Sequence, residues 1–215
     1  MRGQGSGGEA MARVAATLGR RARRRKPSSR AGRTTPHLWF LTDPARTPDP
    51  AKAILGLPKG AVVVYRAFGA SDRLAVALGL RRITRRLGLK LVIGADWRLA
   101  AAVRADGVHL PQRTMPMAPG LRRRRPGWLI SAAAHDAAAI IAGSRMALDA
   151  LLVSAVFPSR SPSAGRALGT VRFAALVAGS GAPIIALGGV NDVTAPRLRS
   201  SRAAGLAGVE ALARP

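Results

Sequence analysis

The chain has no cysteine. Disulfides, thiolate-bound zinc and thiol nucleophiles are therefore excluded, and a reducing cytosol suits it. Aromatic residues fill only 4% of its 215 positions, so a core has to be built from Ala, Val, Leu and Ile. No apolar run reaches the roughly 18 residues that cross a bilayer. The Ala-rich stretch 131–156 comes nearest, and His135, Asp136, Arg145 and Asp149 interrupt it. Acidic residues are scarce as well: ten Asp and Glu stand against 35 Lys and Arg, a net charge of +25. Such an excess normally points to nucleic acid or another anionic surface. Here it is dispersed. Residues 1–33 hold ten basic residues and one acid, Glu9, and the remaining +16 is spread over the body. Arg dominates Lys, amid abundant Ala and Gly, which reads as composition bias. No nucleic-acid role is assigned.

Residues 1–35 are expected to form a flexible basic tail. Met1 to Gly8 is Gly-rich, a short helix fits Glu9 to Leu18, Arg20 to Lys26 is a basic run, and Pro27 to Thr35 reads as a linker. The apolar segment of a secretory signal is missing. Residues 36–215 are expected to be one domain, and 48% hydrophobic residues suffice for its core. The expected location is the cytoplasm, without membrane contact.

From His37 onward a rhythm sets in. Short apolar runs, each bounded by Gly, Pro or Asp, alternate with helical patterns. They predict strands over 37–42, 61–65, 89–93, 106–110, 127–132, 148–153, 183–187 and 206–210. Helices are expected at 50–57, 72–87, 97–104, 136–146, 170–178 and 192–200, with at most one turn inside 111–126. About 20 to 25 residues per unit is the spacing of βα units and a parallel sheet. Eight such strands indicate a compact α/β fold, the (β/α)8 TIM barrel, with a doubly wound sheet as the alternative. The chain ends at Pro215 before a full eighth helix, and whether Glu9 to Arg24 covers that gap stays open.

Ala182 to Val190, Ala-Pro-Ile-Ile-Ala-Leu-Gly-Gly-Val, is the stretch most directly tied to chemistry. An unalternating apolar run is a strand buried on both faces. Gly188 and Gly189 end it without side chains, so backbone N–H groups can approach a ligand closely. With Asn191 or Asp192 capping a following helix, the free N–H groups and the helix dipole would converge on an anion.

Three further stretches join it: Asp-Gly-Val-His-Leu-Pro-Gln at 106–112, Ile-Ser-Ala-Ala-Ala-His at 130–135, and Asp149 through Val156-Phe-Pro-Ser-Arg-Ser161. In order and spacing the four resemble the thiamine phosphate synthase family and its relative, the thiazole tautomerase, over residues 37–212. The resemblance implies a barrel that joins a pyrimidine diphosphate, which loses pyrophosphate, to the nitrogen of a thiazole phosphate. Phosphate esters are then the expected partners. Gly188 and Gly189 match the phosphate-binding pair. Arg66 matches the central residue of Gln-x-Arg-x-Lys, whose flanking positions are Val64 and Phe68 here. His135 matches the Ser-x-His motif, in which the tautomerase branch carries its acid/base residue. Ser159 and Ser161 match Thr-x-Thr, with Pro162 in place of the following Lys and Arg160 or Arg166 as substitute charges. His109 is expected to be a packed barrel residue.

Mg²⁺ belongs to the implied reaction, yet no metal site is assigned. The family's Asn-Asp after the third strand is Gly94-Ala95, with Asp96 one place late. Its acidic residue after the fourth strand is Arg113, following Gln112. Asp96 and Asp43 are the carboxylates left to recruit. Gln112 and Arg113 are expected to meet a substrate phosphate, Arg113 replacing part of the metal's charge. The expected activity is therefore a synthase-like transferase of thiamine biosynthesis with eroded Mg²⁺ ligands. The alternative is a metal-independent, tautomerase-like or non-catalytic phosphate-ester binder.

Overall fold

The structure is a computed structural model that describes residues 8–25, 34–159, 161 and 165–213. Eight parallel strands close into a barrel in chain order: β1 Leu38–Leu41, β2 Val62–Tyr65, β3 Lys90–Gly94, β4 Gly107–Leu110, β5 Leu129–Ala134, β6 Ala150–Val153, β7 Ile184–Ala186 and β8 Gly205–Gly208. β1 pairs with both β2 and β8, which seals the ring. The expected TIM barrel is what the chain forms.

Alternation along the strands sorts the core into two layers. Trp39, Leu41, Val62, Val64, Val92, Leu152 and Ile185 meet inside the barrel. Their neighbours Phe40, Val63, Leu91, Ile93 and Leu151 face outward under the helices. Trp39 supplies much of the interior volume in this aromatic-poor chain. It is fully buried, and its indole N–H donates to the Pro36 carbonyl at 2.8 Å, as a buried indole requires.

Among the described residues, seven α-helices accompany the barrel: α1 Glu9–Arg25, α2 Pro50–Ala53, α3 Arg73–Leu87, α4 Trp97–Ala102, α5 Ala118–Arg124, α6 Ala137–Ser144 and α7 Gly169–Gly179. Three expectations need correction. First, the short helix expected at Glu9 to Leu18 in a flexible tail is a 17-residue helix, Glu9–Arg25, on the barrel wall. Met11, Val14, Ala15 and Leu18 lie at i, i+3, i+4 and i+7, one face of a helix, and all four are buried. That face packs on β8 and β1, so among the described residues α1 covers the flank of β8. Residues 1–7 and 26–33 lie outside the described residues.

Second, 111–126 holds more helix than one turn: a 3₁₀ segment over Gln112–Met117 runs into α5. Pro119 lies in the first turn of α5, where its missing N–H costs nothing. Third, the segment after Gly-Gly is a short 3₁₀ turn, Ala195–Leu198, not an α-helix. Asn191 Oδ1 accepts the Val193 and Thr194 N–H groups and holds this loop in a local turn. Asp192 works elsewhere: its carboxylate accepts the N–H groups of Gly8 at 3.0 Å and Met11 at 2.8 Å, capping α1 from the neighbouring β7–β8 connection.

Candidate active site

The C-terminal ends of the strands open onto a cavity of about 380 Å³. Arg66, Gln112, His135, Ser159, Ser161, Gly188 and Gly189 all line it, although they come from five different strand ends. The expected residue absent from that set is Arg113, which lines a neighbouring groove at the ends of β2, β3 and β4. Arg166 lines neither, and Arg160 and Pro162 lie outside the described residues.

Gly188 and Gly189 both have positive φ, 87° and 64°. A Cβ on Gly188 would lie 2.8 Å from the Ala155 Cα, and one on Gly189 2.4 Å from the Pro158 carbonyl oxygen. Glycine is thus required twice over, by conformation and by the loop after β6 pressed against it. Among the described residues, the N–H groups of Gly188, Gly189 and Val190 have no acceptor. Successive unpaired amides at a strand end form an anion-binding concavity without any helix dipole.

His135 stands at the end of β5 on the cavity rim. Its Nδ1 lies 3.0 Å from Ser154 Oγ and 3.3 Å from the Ser154 carbonyl oxygen. With Nδ1 as donor to that carbonyl, the neutral ring keeps its lone pair on Nε2, the arrangement of a general base. Gln112 positions this loop from below. Its Oε1 accepts the His135 N–H at 2.8 Å, and its Nε2 donates to Asp136 at 2.8 Å. Asp136 also caps α6 through Ala139 N–H, and that hydrogen bond lowers its pKa. Each end of the Gln112 amide thus makes one bond that holds the His135 loop, and the second N–H of its Nε2 remains for a ligand in the cavity it lines. Ser154 was invisible in the sequence; its signal is only its place at the end of β6.

Arg66 ends β2 with its guanidinium fixed. Nε donates to the Thr42 carbonyl at 2.6 Å and Nη2 to Asp43 at 3.1 Å. Asp43 also receives Arg46 at 2.8 Å, a bond that, with both cations, keeps its pKa below the usual carboxylate range. His109 lies inside the barrel, 3.0 Å from Ser131 Oγ. Burial, reinforced by Arg66 and His135, pushes its pKa down to about 4. It is a neutral packed residue, as expected.

These donors do not fit Mg²⁺. The ion wants one or two carboxylates beside substrate oxygens. Ala95 offers none, and Arg113 puts a cation at the other ligand position. Asp96 accepts the Leu99 N–H at 2.9 Å as the cap of α4 and faces Arg73 at 4.0 Å. Asp43 is held by Arg46 and Arg66. Among the described residues, no three His, Asp or Glu side chains cluster to hold a metal. Nor is any described helix long and apolar enough to cross a membrane.

A family model described as thiamine monophosphate synthase matches residues 42–212. The thiamine-phosphate synthase of Chloroflexus aurantiacus is 37% identical over 165 residues, covering 74% of each chain. That of Methanoculleus marisnigri is 30% identical over 142 residues, covering 66% of this chain and 67% of its own. Among solved structures, a thiamine phosphate pyrophosphorylase from Pyrococcus furiosus superposes with a TM-score of 0.70 at 23% identity, covering 81% of this chain and 86% of that one. With a barrel whose strand-end residues converge on one cavity, and a match across most of its length, the chain belongs to the thiamine monophosphate synthase family.

Proposed function

We propose that this chain is a synthase-like transferase of thiamine biosynthesis, acting in the cytoplasm. It takes a thiazole phosphate into the 380 Å³ cavity and couples it to a pyrimidine diphosphate. The observation that carries the reading is the pair of unpaired glycine amides facing the same cavity as His135, Ser159 and Ser161. The thiazole phosphate accepts the Gly188 and Gly189 N–H groups, with the two serine hydroxyls as further donors. Arg66, held rigid by Thr42 and Asp43, reaches the same space from the opposite wall. In the reaction, the thiazole nitrogen lone pair forms a bond to the pyrimidine-bearing carbon. The carbon–oxygen bond to the diphosphate breaks, and its electron pair leaves on pyrophosphate. Preorganised cations beside that leaving group stabilise the charge as it develops.

Incubation of the purified protein with both substrates, followed by mass spectrometry, tests this. Thiamine phosphate is the expected product. A protein that binds thiazole phosphate but yields no product would replace it with the second reading, a tautomerase-like enzyme. The observation favouring that second reading is His135 on Ser154, an acid/base residue already oriented.

A further inference from the structure

Beside the cavity runs a groove of about 1260 Å³ at the ends of β2, β3 and β4. Four arginines line it, Arg66, Arg73, Arg98 and Arg113, against one carboxylate, Asp96. That carboxylate is already the cap of α4 and neighbour of Arg73. Arg66 is neutralised by Asp43, which it shares with Arg46. Arg98 stacks on Trp97 at 4.7 Å, which leaves the edges of its guanidinium available. Arg113 has no carboxylate partner among the described residues. Like charges lining one groove with a single carboxylate between them repel, and an anion offsets that repulsion. Apolar side chains lie among them: Phe68, 68% exposed, sits under the Arg66 guanidinium at 5.2 Å, and Leu74 is 50% exposed.

We propose that this groove binds a diphosphate ester without a divalent cation, its arginines standing where the family's metal ligands are missing. This rests on the synthase reading for the identity of the ester but not for the charge argument. A diphosphate carries two to four negative charges that Mg²⁺ ordinarily shares. Planar guanidinium forks match its oxygens two at a time. Arg113 is the pivotal member, because its side chain occupies the place of a metal-binding carboxylate and is otherwise unpaired. Phe68 and Leu74 supply apolar surface for the organic part of the ester.

Titration calorimetry of the full-length protein with inorganic pyrophosphate, in EDTA and then in Mg²⁺, decides the matter. Binding in EDTA is expected, with Mg²⁺ changing the affinity less than threefold in the tightening direction. Arg113→Glu should weaken it at least 20-fold and Arg113→Lys about fivefold. Both side chains are exposed at that position, and circular dichroism confirms folding. Unchanged binding in Arg113→Glu would place the anion on the glycine amides instead and overturn the assignment. Binding that requires Mg²⁺ would overturn it as well. The pyrimidine diphosphate should bind about tenfold more tightly than pyrophosphate, and equal affinities would remove the apolar surface from the account. Pyrophosphate binding in EDTA with no thiamine phosphate formed would leave this inference standing and defeat the synthase reading. Product formed only with Mg²⁺ would do the reverse.

Discussion

The two ends of the barrel use arginine in opposite ways. At the N-terminal end, Arg122 pairs with Asp149 at 2.5 Å and Arg81 with Asp106 at 2.7 Å. Each carboxylate also accepts a strand N–H, Ile130 for Asp149 and Leu91 for Asp106, both at 2.8 Å. These arginines stitch neighbouring strands and leave nothing for a ligand. At the C-terminal end, Arg73, Arg98 and Arg113 outnumber the carboxylates around them. The same residue type is structural where acid is matched to it and a binding surface where acid is withheld. Net charge alone distinguishes neither, which is why +25 says little until it is mapped.

The comparison can be broken most forcefully at the closed end. Asp149→Ala leaves Arg122 buried without its partner, and the loss of such a pair costs about 3–5 kcal/mol. Urea unfolding measures it; a cost below about 1 kcal/mol would deny the closed end its anchoring role. At the open end, Gly189→Ala drives a Cβ into the Pro158 carbonyl. Turnover should fall about 100-fold, as for loss of an anion-stabilising donor, with thiazole phosphate binding weakened alongside.

Acid sharpens the contrast further. His109 has its folded pKa near 4, below the unfolded value of 6.5. The folded state therefore binds the proton less readily than the unfolded one. Its contribution is favourable above 6.5, declines as pH falls toward 4, and is constant below that. Thermal melts from pH 7 to 4 should show this decline, and His109→Gln should flatten it. Asp43, with its lowered pKa, adds stability above the unfolded carboxylate value that is lost only as pH falls through its depressed folded value. The smallest effect is expected at Asp192. Asp192→Ala removes the cap of α1, worth about 1 kcal/mol, and frees the loop behind Gly189. Hydrogen exchange should rise at 8–12 and 190–194 together; a rise in only one would separate the helix from the loop.

Much of this molecule was legible in its sequence. The eight strands announced themselves as apolar runs between breakers, because a parallel barrel strand is buried on both faces. The glycine pair was legible as the end of such a strand, where a TIM barrel keeps its chemistry; His135 and Arg66 entered through the resemblance, and the structure puts both at strand ends beside the same cavity. α1 was harder. Its stripe of Met11, Val14, Ala15 and Leu18 was present, but arginines around it suggested a tail, and only the exposed flank of β8 shows what the stripe covers. α5 was underestimated as at most one turn inside 111–126; Pro111, Pro116 and Pro119 lie in that stretch, and Pro119 sits in the helix's first turn, where its missing N–H costs nothing. Gln112 read as a ligand contact because spacing shows position, not partners; its bonds to His135 and Asp136 could not be seen in the sequence. Asp192 read as a local cap, although its true partner lies 181 residues away in sequence.

The most direct test of the account is synthase turnover in EDTA against turnover in excess Mg²⁺, with both substrates saturating. Arginines that replace the metal predict thiamine phosphate formation in EDTA within about threefold of the Mg²⁺ rate. Turnover that vanishes in EDTA and returns with Mg²⁺ would contradict it, and would assign Asp96 or Asp43 the ligand role that their hydrogen bonds argue against.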